Sequence, residues 1–125
     1  MQTNKPAGMV VLVSNRSPET TTVQEIEAHG LAVQWASSIG RAVKVLKSAR
    51  KKVVIVTELA LADGNWRDLV EGVRCIDVSI PILLTTTSST AELWWDALEC
   101  GVYDILPGPG MASRLFQLLE MRDAS

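Results

Sequence analysis

Short apolar runs alternate along this chain with segments whose apolar residues recur at helical spacing. Runs of this length without polar alternation, separated by helices, are typical of parallel strands covered on both faces of a sheet. The pattern predicts an α/β fold of the (βα)5 type, a doubly wound, five-stranded parallel sheet with strand order 2-1-3-4-5. The predicted strands cover residues 9–13, 31–35, 53–57, 81–87 and 102–106.

Helix start and stop signals lie between the runs. Ser17 followed by Pro18 predicts the start of the first helix, and Gly30 predicts its end. Ser37 or Ser38 can cap the second helix. Two apolar stripes mark the second and third helices: Ile39, Ala42, Val43 and Leu46, then Trp66, Leu69, Val70 and Val73.

The length of 125 residues fits one domain, 1–125, with a core at about 9–121. Twelve basic against 14 acidic residues give a net charge of −2, which argues against direct nucleic-acid binding. The first apolar run is too short for a signal peptide or a membrane span, so we expect a cytoplasmic protein without membrane contact. Cys75 and Cys100 lack metal-ligand spacing, and we expect free thiols that pack as small core residues.

Polar residues follow several of the predicted strands. In open parallel sheets, ligands and chemistry gather where the carboxyl ends of the strands meet. Glu58 is notable there, because an acid ends a strand that otherwise reads as fully buried. The residues placed at this edge are Ser14, Asn15, Arg16, Glu58, Thr86, Thr87 and Gly108.

Four segments in this order resemble a known family. "VVLVSNRSPE" stands where a response-regulator receiver domain has its first strand and acidic pair, and "VIVTELALADGNW" where it has its phosphoacceptor strand and loop. "IPILLTTT" matches the strand that ends in the family's Thr or Ser, and "ALECGVYDILPGP" matches its Ala, Gly, Tyr-Asp and Lys-Pro segment. The chain resembles a receiver domain from about Val10 to Glu120.

The resemblance breaks down at the reactive positions. Receivers bind Mg²⁺ through two adjacent acids, which correspond here to Asn15 and Arg16, and the phosphoacceptor aspartate corresponds to Glu58. Mg²⁺ prefers hard oxygen ligands that include carboxylates, and the added methylene of glutamate displaces an in-line nucleophile. We therefore expect no Mg²⁺ site, no catalytic residue and no phosphotransfer. Glu58 either imitates the phosphorylated state or is a structural or solvated acid.

The other functional positions of the family are kept in part. Thr86 matches the Thr or Ser that contacts the phosphoryl group, whereas the lysine corresponds to Gly108 and the aromatic switch position to Ile105. Receivers have a cis peptide bond before the proline of this loop, so the resemblance implies a cis bond between Gly108 and Pro109.

Arg16 and Glu58 follow strands 1 and 3, which are neighbours in the predicted order. A guanidinium could therefore occupy the place of the receiver's metal ion and hold the carboxylate, with an N to O distance of about 2.7–3.2 Å. The alternative is that Arg16 extends into solvent and Glu58 bonds loop N–H groups or water.

Two adjacent tryptophans in "AELWWDALE" predict an interface. Neighbouring helix residues point about 100° apart, so one of Trp94 and Trp95 is expected at the surface. By resemblance, this helix belongs to the face of helix 4, strand 5 and helix 5, which receivers use for dimers and partners. Trp94, Trp95 and Ile105 are the candidate contact residues, and the alternative is that both tryptophans pack in the core.

The sequence thus predicts a degenerate receiver, or pseudo-receiver. It would act in bacterial signal transduction or transcription control through phosphorylation-independent contact with a protein partner or a second copy. No cofactor is implied. The chain would be either a stand-alone protein or the N-terminal domain of a longer regulator.

A flavodoxin-like flavin or nucleotide-binding protein is the alternative of a different class. The loop "SNRSPETTT" offers hydroxyls for a phosphate, with Trp66 and Tyr103 as neighbours for a ring. The loop lacks the glycine needed for close backbone approach, and Pro18 removes an N–H from the helix N-terminus. A small hydrolase has no support, since there is no G-x-S-x-G motif and His29 has no evident partner.

Overall fold

The computed structural model describes residues 8–49, 52–87, 90–107 and 113–118. The strands of its main sheet are β1 (Gly8–Val13), β2 (Leu31–Ala36), β3 (Lys52–Thr57), β4 (Ile82–Thr86) and β5 (Asp104–Pro107). The sheet is parallel, with strand order β2-β1-β3-β4-β5, as the sequence predicts. The β1 register places Val13 beside Ala36 of β2 and Thr57 of β3.

Helices lie between the strands in chain order. The predicted (βα)5 arrangement is confirmed for the part of the chain that the structure describes. The helices are α1 (Thr20–Ala28), α2 (Ile39–Ser48), α3 (Trp66–Ile76), α4 (Ala91–Glu99) and a segment at 113–118, named α5.

Each face of the sheet carries its own apolar layer. Alternate residues of the central strands point to opposite faces. Val11 and Ile55 pack with α2, α3 and α4 in the first apolar layer, while Val10 and Val56 pack with α1 and α5 in the second apolar layer. Covering on both faces explains why these strands are apolar throughout. Trp66, 6% exposed, belongs to the first layer, as predicted for its helical stripe.

The predicted helix boundaries are correct at some ends and wrong at others. Ser38 caps α2 through the Arg41 N–H, and Gly30 ends α1 with φ +81°. However, α1 begins at Thr20 rather than at Pro18, and its N-cap residue, Glu19, makes no side-chain capping bond. Residues 17–19 are not helical, because they directly follow the turn that the Ser14 hydroxyl closes on the Arg16 carbonyl.

The thiols also differ from expectation. Both are free, but Cys75 is exposed and Cys100 is half-buried against the first apolar layer, so the core assignment is wrong for Cys75. Cys75 lies on the outer side of α3, outside the apolar stripe of that helix. Within the described ranges, no helix is long and apolar enough to cross a membrane.

A small hairpin connects β3 to α3. Ala60–Leu61 pairs antiparallel with Gly64–Asn65, and the Trp66 N–H donates to the Leu59 carbonyl at 2.9 Å. Asn65 and Asp68 then form a capping box at the start of α3. The loop predicted from "ADGN" is therefore an ordered turn that fixes the chain directly after Glu58.

Candidate functional site at the carboxyl edge of the sheet

The sheet brings the ends of β1, β3 and β4 together at one edge. Asn15 follows β1, Glu58 follows β3, and Thr86 is the last residue of β4. The Glu58 N–H donates to the Val13 carbonyl at 3.1 Å, which joins the two strand ends directly. Three of the predicted pocket residues therefore lie at the edge where the sequence places them.

The Glu58 carboxylate is held by backbone and not by a cation. Its Oε1 accepts a hydrogen bond from the Asn15 N–H at 3.1 Å. The predicted ion pair with Arg16 is wrong: both side chains are exposed, and no Arg16 nitrogen lies within 4.0 Å of the carboxylate. The Ser14 hydroxyl donates to the Arg16 carbonyl at 2.6 Å, and in this turn the Asn15 N–H meets the carboxylate.

Asn15 makes a second contact across the same gap. Its Nδ2 donates to the Ala60 carbonyl at 3.1 Å, on the hairpin that follows Glu58. This amide therefore acts as a donor at a position where a metal site needs an oxygen ligand. No group of three His, Cys, Asp or Glu side chains among the described residues is arranged to hold a metal ion.

Thr86 lies beside Glu58 at a shallow cleft of about 430 Å³. Asn15, Leu59 and Thr87 contribute to the same cleft. Gly108, the fifth predicted pocket residue, lies outside the described residues. The cis bond to Pro109 also lies outside them and stays a prediction.

A second cleft, of about 520 Å³, opens on the α1 side of Glu58. Thr85, Thr87 and Glu58 line both clefts, so Glu58 stands on their shared rim. The floor of the second cleft is apolar, and its outer wall comes from the start of α1. Sequence reasoning missed this cleft, because its members are scattered over four elements.

Asp63 fixes the loop after Glu58 to α2. Its carboxylate accepts hydrogen bonds from the Ile39 N–H at 2.8 Å and the Gly40 N–H at 3.1 Å. These two bonds hold the pKa of Asp63 below its ordinary value of 3.8. Sequence reasoning did not single out Asp63. An acid three residues before the first residue of a helical stripe gives no local signal that it caps a different helix.

Trp35 supports the same edge from the outer strand. Its indole N–H donates to the Ser14 carbonyl at 3.1 Å, while its ring is partly exposed. Sequence reasoning did not single out this residue. The contact links the end of β2 to the turn that carries Asn15.

The second predicted site, the α4 surface, is apolar and open. Trp94 is 38% exposed, Trp95 is 69% exposed and Leu98 is 57% exposed. Leu98 lies four residues after Trp94 and three after Trp95, so the three side chains form one helical patch. Tyr103, in the turn after α4, is also exposed. Sequence reasoning did not include Leu98 or Tyr103 in this surface. Neither tryptophan is a core residue, so the alternative that both pack in the core is wrong.

Ile105 requires a correction. It is 7% exposed and belongs to the apolar layer beneath α2, α3 and α4. Its aliphatic side chain, at the receiver's aromatic switch position, points into the core. It therefore does not share the exposed surface of Trp94 and Trp95 in this structure.

Contacts with α3 hold α4 and its following turn in place. Arg67 forms an ion pair with Asp96, and its guanidinium lies 5.2 Å from the ring centre of Trp66. Arg74 donates to the carbonyls of Ile80 at 2.9 Å and Gly101 at 2.8 Å. The exposed patch is thus presented from a helix that α3 contacts at Asp96, within α4, and at Gly101, just after its C-terminal end.

The same geometry argues against the flavin-binding alternative. Trp66 is buried in the core, so it cannot stack on a bound ring. Tyr103 donates its N–H to the carbonyl of Ile82, at the start of β4, which puts it at the opposite edge from the loop after β1. Neither predicted ring neighbour lies at the carboxyl edge.

Several solved structures with a similar fold are receiver domains. The non-phosphorylated HemR receiver domain from Leptospira biflexa is 25% identical, with a TM-score of 0.75 over 94% of this chain and 93% of that one. The chain has the receiver-domain fold. A two-component response regulator from Clostridium difficile is 19% identical, with a TM-score of 0.78 over 90% of this chain and 93% of that one.

A third receiver-fold neighbour is the chemotaxis response regulator CheY4 of Vibrio cholerae. It is 21% identical, with a TM-score of 0.72 over 91% of this chain and 97% of that one. No protein-family model matches the sequence. No curated protein matches it either. The likeness therefore lies in the fold, while the site residues have to be judged by their own chemistry.

Proposed function

We propose that this receiver-fold protein is a degenerate receiver, a pseudo-receiver that signals through protein contact without accepting a phosphoryl group. The observation that carries the proposal is the state of the acceptor position. There Glu58 takes a hydrogen bond from the Asn15 N–H, and the Asn15 side chain donates to the Ala60 carbonyl. These two hydrogen bonds tie the loop after β1 to the loop after β3.

Phosphoryl transfer needs charge neutralisation and an in-line nucleophile. The metal positions hold an amide that acts as a donor and an exposed guanidinium, Arg16, which would repel a dication. The carboxylate of Glu58 is also one methylene further from the backbone than that of an aspartate, and a misplacement of about 1 Å is costly for such reactions. These features support a non-enzymatic role.

The response that receivers relay from the pocket also lacks its usual element. Ile105 occupies the aromatic switch position and is packed in the core. An aliphatic side chain buried there has no ring to move between an inward and an outward position. This observation supports a surface whose shape is independent of phosphorylation.

The α4 patch supports contact as the mode of action. Trp94, Trp95 and Leu98 expose apolar surface together, and aromatic anchors of this kind dominate protein interfaces. We propose that this patch, with the neighbouring β5 and α5, binds a second copy or a protein partner. Its setting would be cytoplasmic bacterial signalling or transcription control, without a cofactor, a membrane or direct nucleic-acid contact.

Treatment with Mg²⁺ and acetyl phosphate tests the proposal. Intact-mass spectrometry is expected to show no phosphoryl adduct on this protein, while an active receiver domain treated in parallel gains one. A stoichiometric, acid-labile adduct on Glu58 would overturn the pseudo-receiver proposal.

A second experiment tests whether Mg²⁺ is excluded by the side chains at these three positions or by the fold itself. The triple variant Asn15→Asp, Arg16→Asp, Glu58→Asp restores the acidic set of a receiver, and we expect it to bind Mg²⁺ where the wild type does not. Amide NMR shifts at the carboxyl edge report the binding. Equal Mg²⁺-induced shifts in the wild type would contradict the argument that the natural residues exclude the metal.

A further inference from the structure

The 520 Å³ cleft beside α1 shares Glu58, Thr85 and Thr87 with the cleft at Thr86, but its other lining residues are different. It opens between the ends of β1, β3 and β4 and the first turn of α1, and its volume lies in the ordinary range for small-molecule sites, about 300–1,000 Å³. Its lining residues are Leu12, Val13, Ser14, Pro18, Glu19, Thr22, Val56, Glu58, Thr85 and Thr87.

The cleft has an apolar floor and a polar rim. Leu12 and Val56 come from neighbouring strands and are otherwise buried, so the cleft reaches the edge of the second apolar layer. Thr22 of α1 and Thr85 of β4 are polar residues that also line the cleft. A ligand with an apolar body and a polar end matches this division.

The charged residues that line the cleft are both acidic. Glu58 and Glu19 are its charged lining residues, both exposed, and no Lys, Arg or His lines it within the described part of the chain. Neither acid forms an ion pair with a described residue. A recess lined by one sign of charge concentrates ligands of the opposite sign.

One oxygen of Glu58 remains available for a ligand. Oε1 accepts the Asn15 N–H, whereas Oε2 has no hydrogen-bond partner among the described residues. A carboxylate held on one side by backbone is oriented without being neutralised. It can then form a charge-assisted hydrogen bond to a bound ammonium group.

We infer that this cleft binds a small organic cation, a primary amine with an apolar body. The ammonium group lies at Glu58, within the negative field of Glu19, and the apolar body lies against Leu12 and Val56. A small metal ion fits less well, because the apolar floor offers it no ligands. An anion such as phosphate would meet two carboxylates. The inference goes beyond the protein contact at α4 and involves other elements.

Phenethylamine is a suitable probe, because its ring is apolar and its amine is protonated at neutral pH. Two ligands of similar shape serve as matched controls: 2-phenylethanol has no charge, and 3-phenylpropionate has the opposite charge. In titrations followed by amide NMR, we expect phenethylamine to shift the resonances of residues 12–22, 56–58 and 85–87. The alcohol should bind more weakly, and the carboxylate should not bind.

Glu58→Gln tests the charge with almost no change in shape. We expect its affinity for phenethylamine to fall about fivefold, as is typical of an exposed charged contact. Glu71→Gln removes an acid from the exposed side of α3 and should leave the affinity unchanged. An unchanged amide spectrum away from the site would show that both variants fold.

Three results would overturn the inference. The first is equal affinity for the amine and the alcohol. The second is that the amine shifts no resonances, or only resonances outside the cleft. The third is that Glu58→Gln binds the amine as tightly as the wild type does. None of them bears on phosphorylation or on the α4 patch, so the outcome is separate from that of the proposed function.

Discussion

The carboxyl edge of the sheet and the outer face of α4 have opposite surface chemistry. At the edge, the Glu58 carboxylate accepts a hydrogen bond from the Asn15 N–H, and the Asn15 side chain donates to the Ala60 carbonyl. On α4, Trp94, Trp95 and Leu98 leave apolar surface in water. In the function proposed above, the edge has the position of a receiver's phosphorylation site without its reactive groups, and the α4 face provides the contact surface.

This difference shows which part of the fold can change without loss of structure. Strand ends and their loops hold the edge together with short hydrogen bonds, which many polar residues can make. On the α4 face, Trp95 is 69% exposed, so its ring buries little surface on folding. Trp66 in the core and Trp95 on the α4 face allow a core role and a surface role to be compared with the same type of residue.

Trp66→Ala should produce the largest effect of the substitutions considered. Trp66 is buried in the first apolar layer, and truncation of a core tryptophan costs about 3–5 kcal/mol of the free energy of unfolding. Urea unfolding measures the loss. Trp95→Ala, the control, should stay within about 0.5 kcal/mol of the wild type, because its ring is mostly exposed. Equal losses in the two variants would contradict the division between core and face.

Trp95→Ala should instead weaken association. An aromatic interface anchor contributes about 2 kcal/mol or more, so we expect self-association or partner binding to weaken by about 30-fold. Sedimentation over a concentration series measures self-association. Val78→Ala is a matched control, since Val78 is an exposed apolar residue in the loop before β4. A wild type that neither self-associates nor captures a partner through α4 would refute the role of this patch.

The sheet could be predicted from the sequence because its signals are redundant. Each central strand is apolar on both faces, as in 53–56, and only a parallel sheet covered on both sides accommodates such runs. Glycine and serine signals at Gly30 and Ser38 fixed helix ends for the same reason: backbone geometry there depends on local residues. Locally determined features were therefore predictable.

Features that depend on side-chain direction were not predictable. Asn15 and Arg16 are adjacent, and the pattern does not reveal which group of this turn meets Glu58; the structure selects the Asn15 N–H. Ile105 was assigned by resemblance to a surface position, but an aliphatic residue gains more by packing inward. The bond from Asp63 to the start of α2 joins residues more than 20 positions apart, without a local signal.

Asp63→Asn should have a moderate effect that depends on pH. The carboxylate of Asp63 has a lowered pKa because it accepts the N–H groups of Ile39 and Gly40. Its stabilising contribution is therefore fully present above the unfolded-state pKa, near 3.8, and is lost as pH falls through the lower folded-state value. Urea unfolding should show a less stable variant at pH 7 and a smaller difference from wild type in strong acid.

Glu71→Gln is the control for that comparison, because Glu71 is exposed and has no hydrogen bond or ion pair to the described residues. Its unfolding curve should match the wild type at both pH values. A stability difference between Asp63→Asn and wild type that is the same at pH 7 and in strong acid would show that the carboxylate charge does not hold the loop to α2.

Arg16→Ala should have the smallest effect, and it tests the edge most directly. If the guanidinium replaced the receiver's metal ion, its removal would lower stability at neutral pH. The structure instead leaves Arg16 exposed and without an ion pair to any described residue. The turn is held by the Ser14 hydroxyl on the Arg16 carbonyl, a backbone group that alanine retains. We therefore expect a change within about 0.5 kcal/mol at neutral pH, measured by urea unfolding. Ser14→Ala removes the hydroxyl and should cost about 1 kcal/mol, so a larger loss in Arg16→Ala than in Ser14→Ala would restore the ion-pair hypothesis.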